Sequence, residues 1–236
     1  MKQLALTNNR KNNRINNKTK SKTNSKADNR KSKQLIDQLL AAYPEAQCEL
    51  QHSNPFELLI ATILSAQCTD KMVNQVTPKL FAKYPNPKAL AKAKPPEVER
   101  LIHSTGFFRN KAKSIIGVAQ KIVQLHGNEV PHSMEQLQNL PGVGRKTANV
   151  VLGNAFGLAE GIVVDTHVAR LAFRLGLTKN TSPEKIESDL IDLVANKNWI
   201  IFSHVLIQHG RKVCMAKNPN CKDCFLVELC PQNGLQ

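Results

Sequence analysis

The chain has 236 residues, of which 41 % are hydrophobic and 5 % aromatic, enough for one large domain or two small ones with an aliphatic core. Its net charge of +15 and pI near 9.7 indicate a polyanionic partner. No export signal and no run of about 18 apolar residues for a membrane helix occurs, so we expect a cytoplasmic monomer with no membrane contact.

The positive charge is concentrated at the start of the chain. Residues 1–33 contain eight lysines and three arginines against one aspartate, a net charge of +10. Asn and Ser are abundant there, and apolar residues are rare after Leu6. Such a segment buries too little apolar surface to offset the entropy of ordering. We therefore predict a disordered basic tail over residues 1–33.

From Gln34 onward one helical pattern follows another, which predicts an all-α fold. The stretch Phe56–Ala66 is apolar on nearly every side, as in a buried central helix. Thr69 with Asp70 can cap the next helix, and Ser133 with Gln136 forms a capping box. Only residues 161–164 hint at extended structure. The predicted helices span residues 34–42, 56–66, 71–84, 96–103, 111–126, 133–140, 145–156, 165–175, 182–195 and 199–210.

The segment Leu140–Leu152 (LPGVGRKTANVVL) joins two of these helices through a Pro-Gly-x-Gly turn. Backbone amides of Gly142 and Gly144 at a helix N-terminus form a site that can bind phosphate. Glycine and proline also occur in turns that only connect two packed helices and bind no ligand. The basic pair Arg145 and Lys146 directly after the turn favours phosphate binding.

Two ionisable residues are candidates for catalysis. Lys146 is either a solvated lysine on phosphate or a nucleophile. A helix N-terminus and a cationic neighbour disfavour an ammonium charge, and a nucleophilic lysine needs the neutral amine. Asp165 lies between an apolar run and a helix, so it is either an N-cap or a carboxylate facing the turn lysine. Spacing alone leaves both readings open.

Four of the six cysteines follow the pattern C-x6-C-x2-C-x5-C near the C-terminus. In a reducing compartment such spacing indicates a metal site before disulfides. Four thiolates with a single C-x-x-C unit and no histidine suit a [4Fe–4S] cluster, with zinc as the alternative. The candidate ligands are Cys214, Cys221, Cys224 and Cys230.

From about Lys33 to Pro231 the chain resembles the bacterial endonuclease III family of helix-hairpin-helix DNA glycosylases. The resemblance rests on Asn54–Asp70 (NPFELLIATILSAQCTD), Leu140–Leu152, Val163–Leu175 (VVDTHVARLAFRL) and the cysteine spacing. These segments occur in the order that the family requires. The long basic tail is not part of the family pattern.

The resemblance implies roles for individual residues. Lys146 takes the place of the nucleophilic lysine and Asp165 that of the catalytic aspartate, and the four cysteines match the ligands of a [4Fe–4S] cluster. Gln67 matches the residue that fills the gap left by an extruded base. Phe107 matches the wedge in the opposite strand, where family members often have leucine. The implied DNA-binding residues are Gln67, Phe107, Gly142, Gly144, Arg145 and Thr147.

The implied architecture has two helical lobes with the active site in the cleft between them. A six-helix barrel with the helix-hairpin-helix motif spans residues 48–158, and a second lobe, residues 34–47 plus 159–236, carries the cluster loop. The implied activity is that of a bifunctional DNA glycosylase and lyase of base excision repair. It excises oxidised pyrimidines from double-stranded DNA and cuts 3′ to the abasic site by β-elimination through a lysine Schiff base.

Other classes of helix-hairpin-helix protein would require different residues at these positions. A non-catalytic helix-hairpin-helix module would keep Gly142 and Gly144 but has no need of Lys146 together with Asp165. An adenine glycosylase acting on mismatches would lack the lysine and add a further C-terminal domain. Thymine-mismatch glycosylases likewise depart from lysine at this position. Lys146 therefore favours the bifunctional enzyme.

Overall fold

A computed structural model describes residues 29–235, and within them every regular element is a helix, which confirms the all-α prediction. The first helix, α1, covers residues 29–42. No helix of the described residues is long and apolar enough to cross a membrane. The later helices are α2 (Pro55–Leu64), α3 (Asp70–Lys83), α4 (Pro87–Ala91), α5 (Pro95–Ile102), α6 (Phe108–Leu125), α7 (Met134–Gln138), α8 (Arg145–Phe156), α9 (Thr166–Arg174), α10 (Pro183–Leu193) and α11 (Trp199–Lys212), with 3-10 turns at His103–Thr105 and Asn196–Asn198.

Helix α1 extends further toward the N-terminus than the sequence pattern predicts. Residues 29–33, which composition assigns to the disordered tail, are helical, while residues 1–28 lie outside the described part of the chain. Leu35, Ile36 and Leu39 are buried and anchor the helix. Once a helix is anchored, adding lysine and arginine residues at its end is favourable because each gains a backbone hydrogen bond.

The described residues form two compact units. The hairpin unit comprises Glu45–Asp165 and Asn196–His204. Helix α2 is its central element, with eight of ten residues buried, and it contacts α3, α6 and α8. Helix α6 contacts α4 and α5, and α7 packs against α8. The predicted central helix is thereby confirmed, and the hairpin of α7 and α8 rests on an apolar core.

Residues 196–204 belong to the hairpin unit although they lie far along the chain. A Cβ atom on Gly153 of α8 would lie 3.2 Å from Ile200, so the start of α11 packs closely against α8. The His204 ring is bonded to Asn154 on the same helix. These contacts explain why residues 196–204, which fall in the predicted second lobe, cluster with the hairpin unit.

The cysteine unit comprises the described residues up to Pro44 together with Thr166–Ala195 and Val205 onward. Helices α9 and α10 contact each other in it. Arg174 at the end of α9 is buried and donates to the carbonyl oxygens of Met215 at 2.7 Å and Ala216 at 3.0 Å. This arginine fixes the start of the loop that carries the cysteines.

Candidate functional site

The turn between α7 and α8 is shaped by two glycines with different tasks. Gly142 has φ +75°, and a Cβ atom there would lie 3.0 Å from Ser114 Oγ, so both backbone and space require glycine. Gly144 is the N-cap of α8 with φ −90°, and a Cβ atom there would meet nothing within 4 Å. The approach to the start of α8 at Gly144 is thus clear of protein atoms.

The start of α8 is suited to binding an anion. Its N-cap glycine supplies no side-chain hydrogen bond to the first turn. The first backbone N–H groups of a helix lack intrahelical partners and carry the positive end of the helix dipole. Arg145 and Lys146 are exposed and Thr147 is half-buried in this turn. The structure therefore brings these three residues and Gly144 together at one helix end, as the motif predicts.

Asp165 is half-buried and directly precedes α9, in the same unit as Lys146. Its environment includes His204, whose Nε2 atom lies 2.8 Å from Asn154 Oδ1. Burial lowers the pKa of His204, while the carboxylates of Glu49, Asp165 and Asp70 act in the opposite direction. No local pattern could have revealed His204, because it is distant in sequence from every residue that it faces.

The two predicted base-contacting residues share an unusual backbone conformation. Gln67 has φ 53° and Phe107 has φ 47°, both in the left-handed region that side chains other than glycine seldom adopt. Both side chains are exposed, and Phe107 is 65 % exposed. Strained backbone of this kind is frequent at functional positions.

Lys111, in the first turn of α6, is a further residue of this region that the sequence pattern does not single out. Its side chain is buried, and its Nζ atom donates to the backbone carbonyls of Leu64 and Thr105. Burial lowers the pKa of this lysine. The partners lie on other segments of the chain, so the sequence carries no local signal for the contact.

In the cysteine unit the four predicted ligands line one pocket, together with Arg174 and His209. Arg174 Nη1 donates to Cys214 Sγ at 3.4 Å, and the Gln232 amide donates to Cys230 Sγ at 3.4 Å. Donors of this kind stabilise ligating thiolates. The cysteines lining the pocket are Cys214, Cys221, Cys224 and Cys230.

The chemistry of this pocket fits a group with four thiolate ligands. Burial raises the pKa of Cys224 and Cys230, and the neighbouring thiolates raise it further. A bound cationic centre would reverse that repulsion. All six cysteines of the chain are free rather than paired in disulfides. Within residues 29–235 no three His, Cys, Asp or Glu side chains converge on a single metal ion. A [4Fe–4S] cluster does not require this, because each of its cysteine ligands binds a different iron.

The model of the HhH-GPD superfamily base excision DNA repair proteins matches residues 60–196. The endonuclease III of Synechocystis sp. is 58 % identical over 189 residues, covering 80 % of this chain and 86 % of that protein.

Solved structures of endonuclease III bound to DNA are similar to this chain. An endonuclease III in a non-covalent complex with DNA has a TM-score of 0.82 at 42 % identity, over 86 % of this chain and 95 % of that one. An endonuclease III trapped as a covalent intermediate with DNA has a TM-score of 0.79 at 44 % identity, over 84 % and 92 % of the two chains. The chain belongs to the endonuclease III family of HhH-GPD base excision DNA repair proteins.

Proposed function

We propose that the chain is a bifunctional DNA glycosylase and abasic-site lyase for oxidised pyrimidines, with Lys146 as its nucleophile. The observation that carries the proposal is the placement of Lys146. Lys146 is exposed in the first turn of α8, two residues after the N-cap Gly144. Asp165 lies in the same unit as Lys146. A module that only bound phosphate would need the glycines and the basic charge, but not Lys146 together with Asp165 in the same unit.

Binding starts at the DNA backbone. The amides at the start of α8 would take a phosphate, with Arg145 and Thr147 beside it. The damaged nucleotide must leave the helical stack before its sugar can be reached. Gln67 would then fill the gap in the stack, and the exposed ring of Phe107 would separate bases of the opposite strand.

Base removal is a substitution at the sugar. The neutral amine of Lys146 bonds to C1′, and the bond between C1′ and the base breaks, so the base leaves with the electron pair and gains a proton. The carboxylate of Asp165 stabilises the positive charge that develops on the sugar and assists proton transfer. Opening of the sugar ring leaves a protonated imine between Lys146 and C1′.

Strand cleavage follows from the same intermediate. The protonated imine draws electrons from the adjacent C2′–H bond and makes that proton acidic. Loss of the proton forms the C2′–C3′ double bond and expels the 3′ phosphate, which is a β-elimination. Water then hydrolyses the imine and releases Lys146. The amine therefore serves both steps, and no oxidant or reductant is consumed.

A [4Fe–4S] cluster would be held by the four cysteines of the pocket, Cys214, Cys221, Cys224 and Cys230. Bound there, the cluster would supply a rigid centre that fixes the surrounding loop, and the reaction above needs no electron from it. The loop enclosed by Cys214 and Cys221 contains the exposed Lys217. A fixed loop would present this lysine to DNA phosphates.

The experiment incubates the full chain with duplexes that contain thymine glycol, an abasic site or an A·G mismatch, and adds borohydride to trap the imine. We expect cleavage and a covalent adduct with the first two duplexes. Lys146→Gln should lose both, while Lys113→Gln, at an exposed lysine of α6, serves as the control. Normal trapping by Lys146→Gln would overturn the assignment, and binding without cleavage by the wild type would favour a non-catalytic module.

A further inference from the structure

Lys111 is a buried charge that packing alone does not explain. Its side chain is 6 % exposed among the apolar residues of α6, such as Ala112 and Ile115. Burying an ammonium group is unfavourable unless its N–H groups are bonded, and an apolar residue of similar size would pack as well. The position thus requires a hydrogen-bond donor.

The two acceptors of Lys111 lie at the ends of helices. Nζ donates to the carbonyl oxygen of Leu64, the last residue of α2, at 2.8 Å. It also donates to the carbonyl oxygen of Thr105, the last residue of a 3-10 turn, at 2.7 Å. Carbonyls at helix ends lack intrahelical partners, so one side chain satisfies two of them.

Each acceptor is followed closely by a residue with left-handed backbone. Gln67 comes three residues after Leu64, and Phe107 comes two residues after Thr105. The backbone amide of Lys111 donates to the carbonyl of Phe107 at 3.1 Å. Lys111 therefore holds the chain on both sides of Gly106 and ties that turn to the end of α2.

Such backbone conformations are unfavourable for residues other than glycine and persist only where the surroundings enforce them. Thr105 is itself fixed, since its buried hydroxyl donates to Ile102 at 2.8 Å. The Lys111 ammonium group links the end of α2, before the Gln67 turn, to Thr105, before the Phe107 turn. Without it the two turns would keep their own local bonds but lose their common anchor.

We infer that Lys111 is a positioning residue that holds Gln67 and Phe107 at a fixed spacing, so that both enter the DNA stack together. The inference rests on the proposed function, in which these two residues replace the extruded base. Because their ordering is completed before DNA binds, extrusion avoids that entropic cost. Lys111 should act on extrusion and leave the chemistry of Lys146 unchanged.

The test compares Lys111→Met with Lys113→Met, an exposed lysine on the same helix. Methionine keeps the apolar stem and removes the donors. Two lost hydrogen bonds should slow single-turnover excision of thymine glycol by roughly tenfold or more. Cleavage of a duplex with a preformed abasic site should fall by less than about threefold, since no base has to be unstacked. Lys113→Met should leave both rates unchanged.

A second measurement separates positioning from simple destabilisation. In a background that carries Gln67→Ala and Phe107→Ala, Lys111→Met should produce no further loss, because the residues it positions are gone. Fluorescence of 2-aminopurine placed opposite the lesion should rise on binding of the wild type and less with Lys111→Met. Lys111→Gln, which retains two N–H donors, should recover part of the excision rate.

Three results would each overturn the inference. Lys111→Met could excise thymine glycol at the wild-type rate, or it could lose activity equally on the thymine glycol and abasic duplexes. It could also cause a full further loss of excision in the background with Gln67→Ala and Phe107→Ala. If Lys111→Met fails to fold, the Lys111→Gln variant and its fluorescence signal decide the question. Failure of the proposed function looks different, since the wild-type chain would then cleave neither duplex.

Discussion

The Nε2 atom of His209 lies 3.8 Å from the Sγ atom of Cys224, while Nδ1 of the same ring lies 2.9 Å from the hydroxyl of Tyr43. Burial lowers the pKa of His209 to about 4, so the ring is neutral near pH 7 and carries a single N–H. A ligating thiolate can only accept. With Cys224 ionised, Nε2 must donate to sulfur and Nδ1 must accept from Tyr43.

This arrangement predicts an effect on the reduction potential of a bound cluster. Hydrogen bonds to ligand sulfurs stabilise added negative charge. His209→Leu should therefore move the potential to a more negative value, and Tyr43→Phe should do so less, as measured by protein-film voltammetry. The exposed His132 is the control, and its replacement by leucine should have no effect. Unchanged potentials in both variants, at normal iron and sulfide content, would show that His209 does not donate to Cys224.

A second prediction separates the two glycines of the hairpin turn. Gly144→Ala adds a methyl group in open space at the α8 N-terminus without backbone strain. It should lower the free energy of unfolding by no more than about 1 kcal/mol, the cost of a poorer N-cap, and weaken DNA binding by obstructing phosphate. Urea unfolding and a fluorescence titration with duplex DNA measure the two effects.

Gly142→Ala is the matched comparison. It forces alanine into left-handed backbone and against Ser114, so it should destabilise the fold by about 1–2 kcal/mol more than Gly144→Ala. Equal stability of the two variants would mean that the turn relaxes readily. If Gly144→Ala kept full DNA affinity, the phosphate would have to bind somewhere other than the N-terminus of α8.

A third prediction concerns His204 and pH. Burial holds its pKa in the folded state below the ordinary value of 6.5, although Glu49, Asp165 and Asp70 oppose the shift. The unfolded chain therefore takes up this proton first as the pH falls. The contribution of His204 to stability is present above about pH 6.5 and is lost as the pH falls toward its folded pKa.

His204→Gln should consequently flatten the decline in the free energy of unfolding between pH 7 and pH 5, measured by urea unfolding. Replacing the exposed His132 by Gln should leave the slope as in the wild type. His209 is also buried, so part of the decline will remain in the His204 variant. A slope identical to that of the wild type would show that the carboxylates cancel the effect of burial on the pKa of His204.

The features that sequence reasoning reached are those whose physical cause is local. Thr69 accepts a bond from the Met72 amide and Ser133 from the Gln136 amide, as the capping patterns predict. The hairpin glycines and Lys146 are contiguous in sequence, so the turn chemistry could be read directly. Helix α4 carries a capping asparagine, Asn86, followed by proline, but five residues are too few to show a helical period.

What the sequence could not reveal depends on contacts between distant segments. Lys111 reaches Leu64 across 47 positions, and His204 reaches Asn154 across 50. A lysine or histidine at such a position looks like any surface residue until its partners are known. The placement of residues 196–204 against α8 has the same origin, since it depends on the fit of Ile200 over Gly153.

The roles of Lys146 and Asp165 can be separated by a fourth pair of experiments. Asp165→Asn keeps the size of the side chain and removes its negative charge. The amine of Lys146 remains, but the positive charge that develops on the sugar loses its stabilising partner. Excision of thymine glycol should therefore slow by about 100-fold or more, the effect expected for removing one electrostatic contribution from an active site.

Lys146→Gln should differ from Asp165→Asn in the product that it leaves. Asp165→Asn should still form an imine with a preformed abasic site and yield a borohydride adduct, only more slowly, whereas Lys146→Gln should form none. The exposed carboxylate of Glu160, five residues before Asp165, provides the matched control, and Glu160→Gln should react as the wild type does. Wild-type excision by Asp165→Asn would reduce Asp165 to a structural residue at the start of α9. If both variants bound DNA normally but neither formed an adduct, Asp165 would be needed to generate the neutral amine of Lys146.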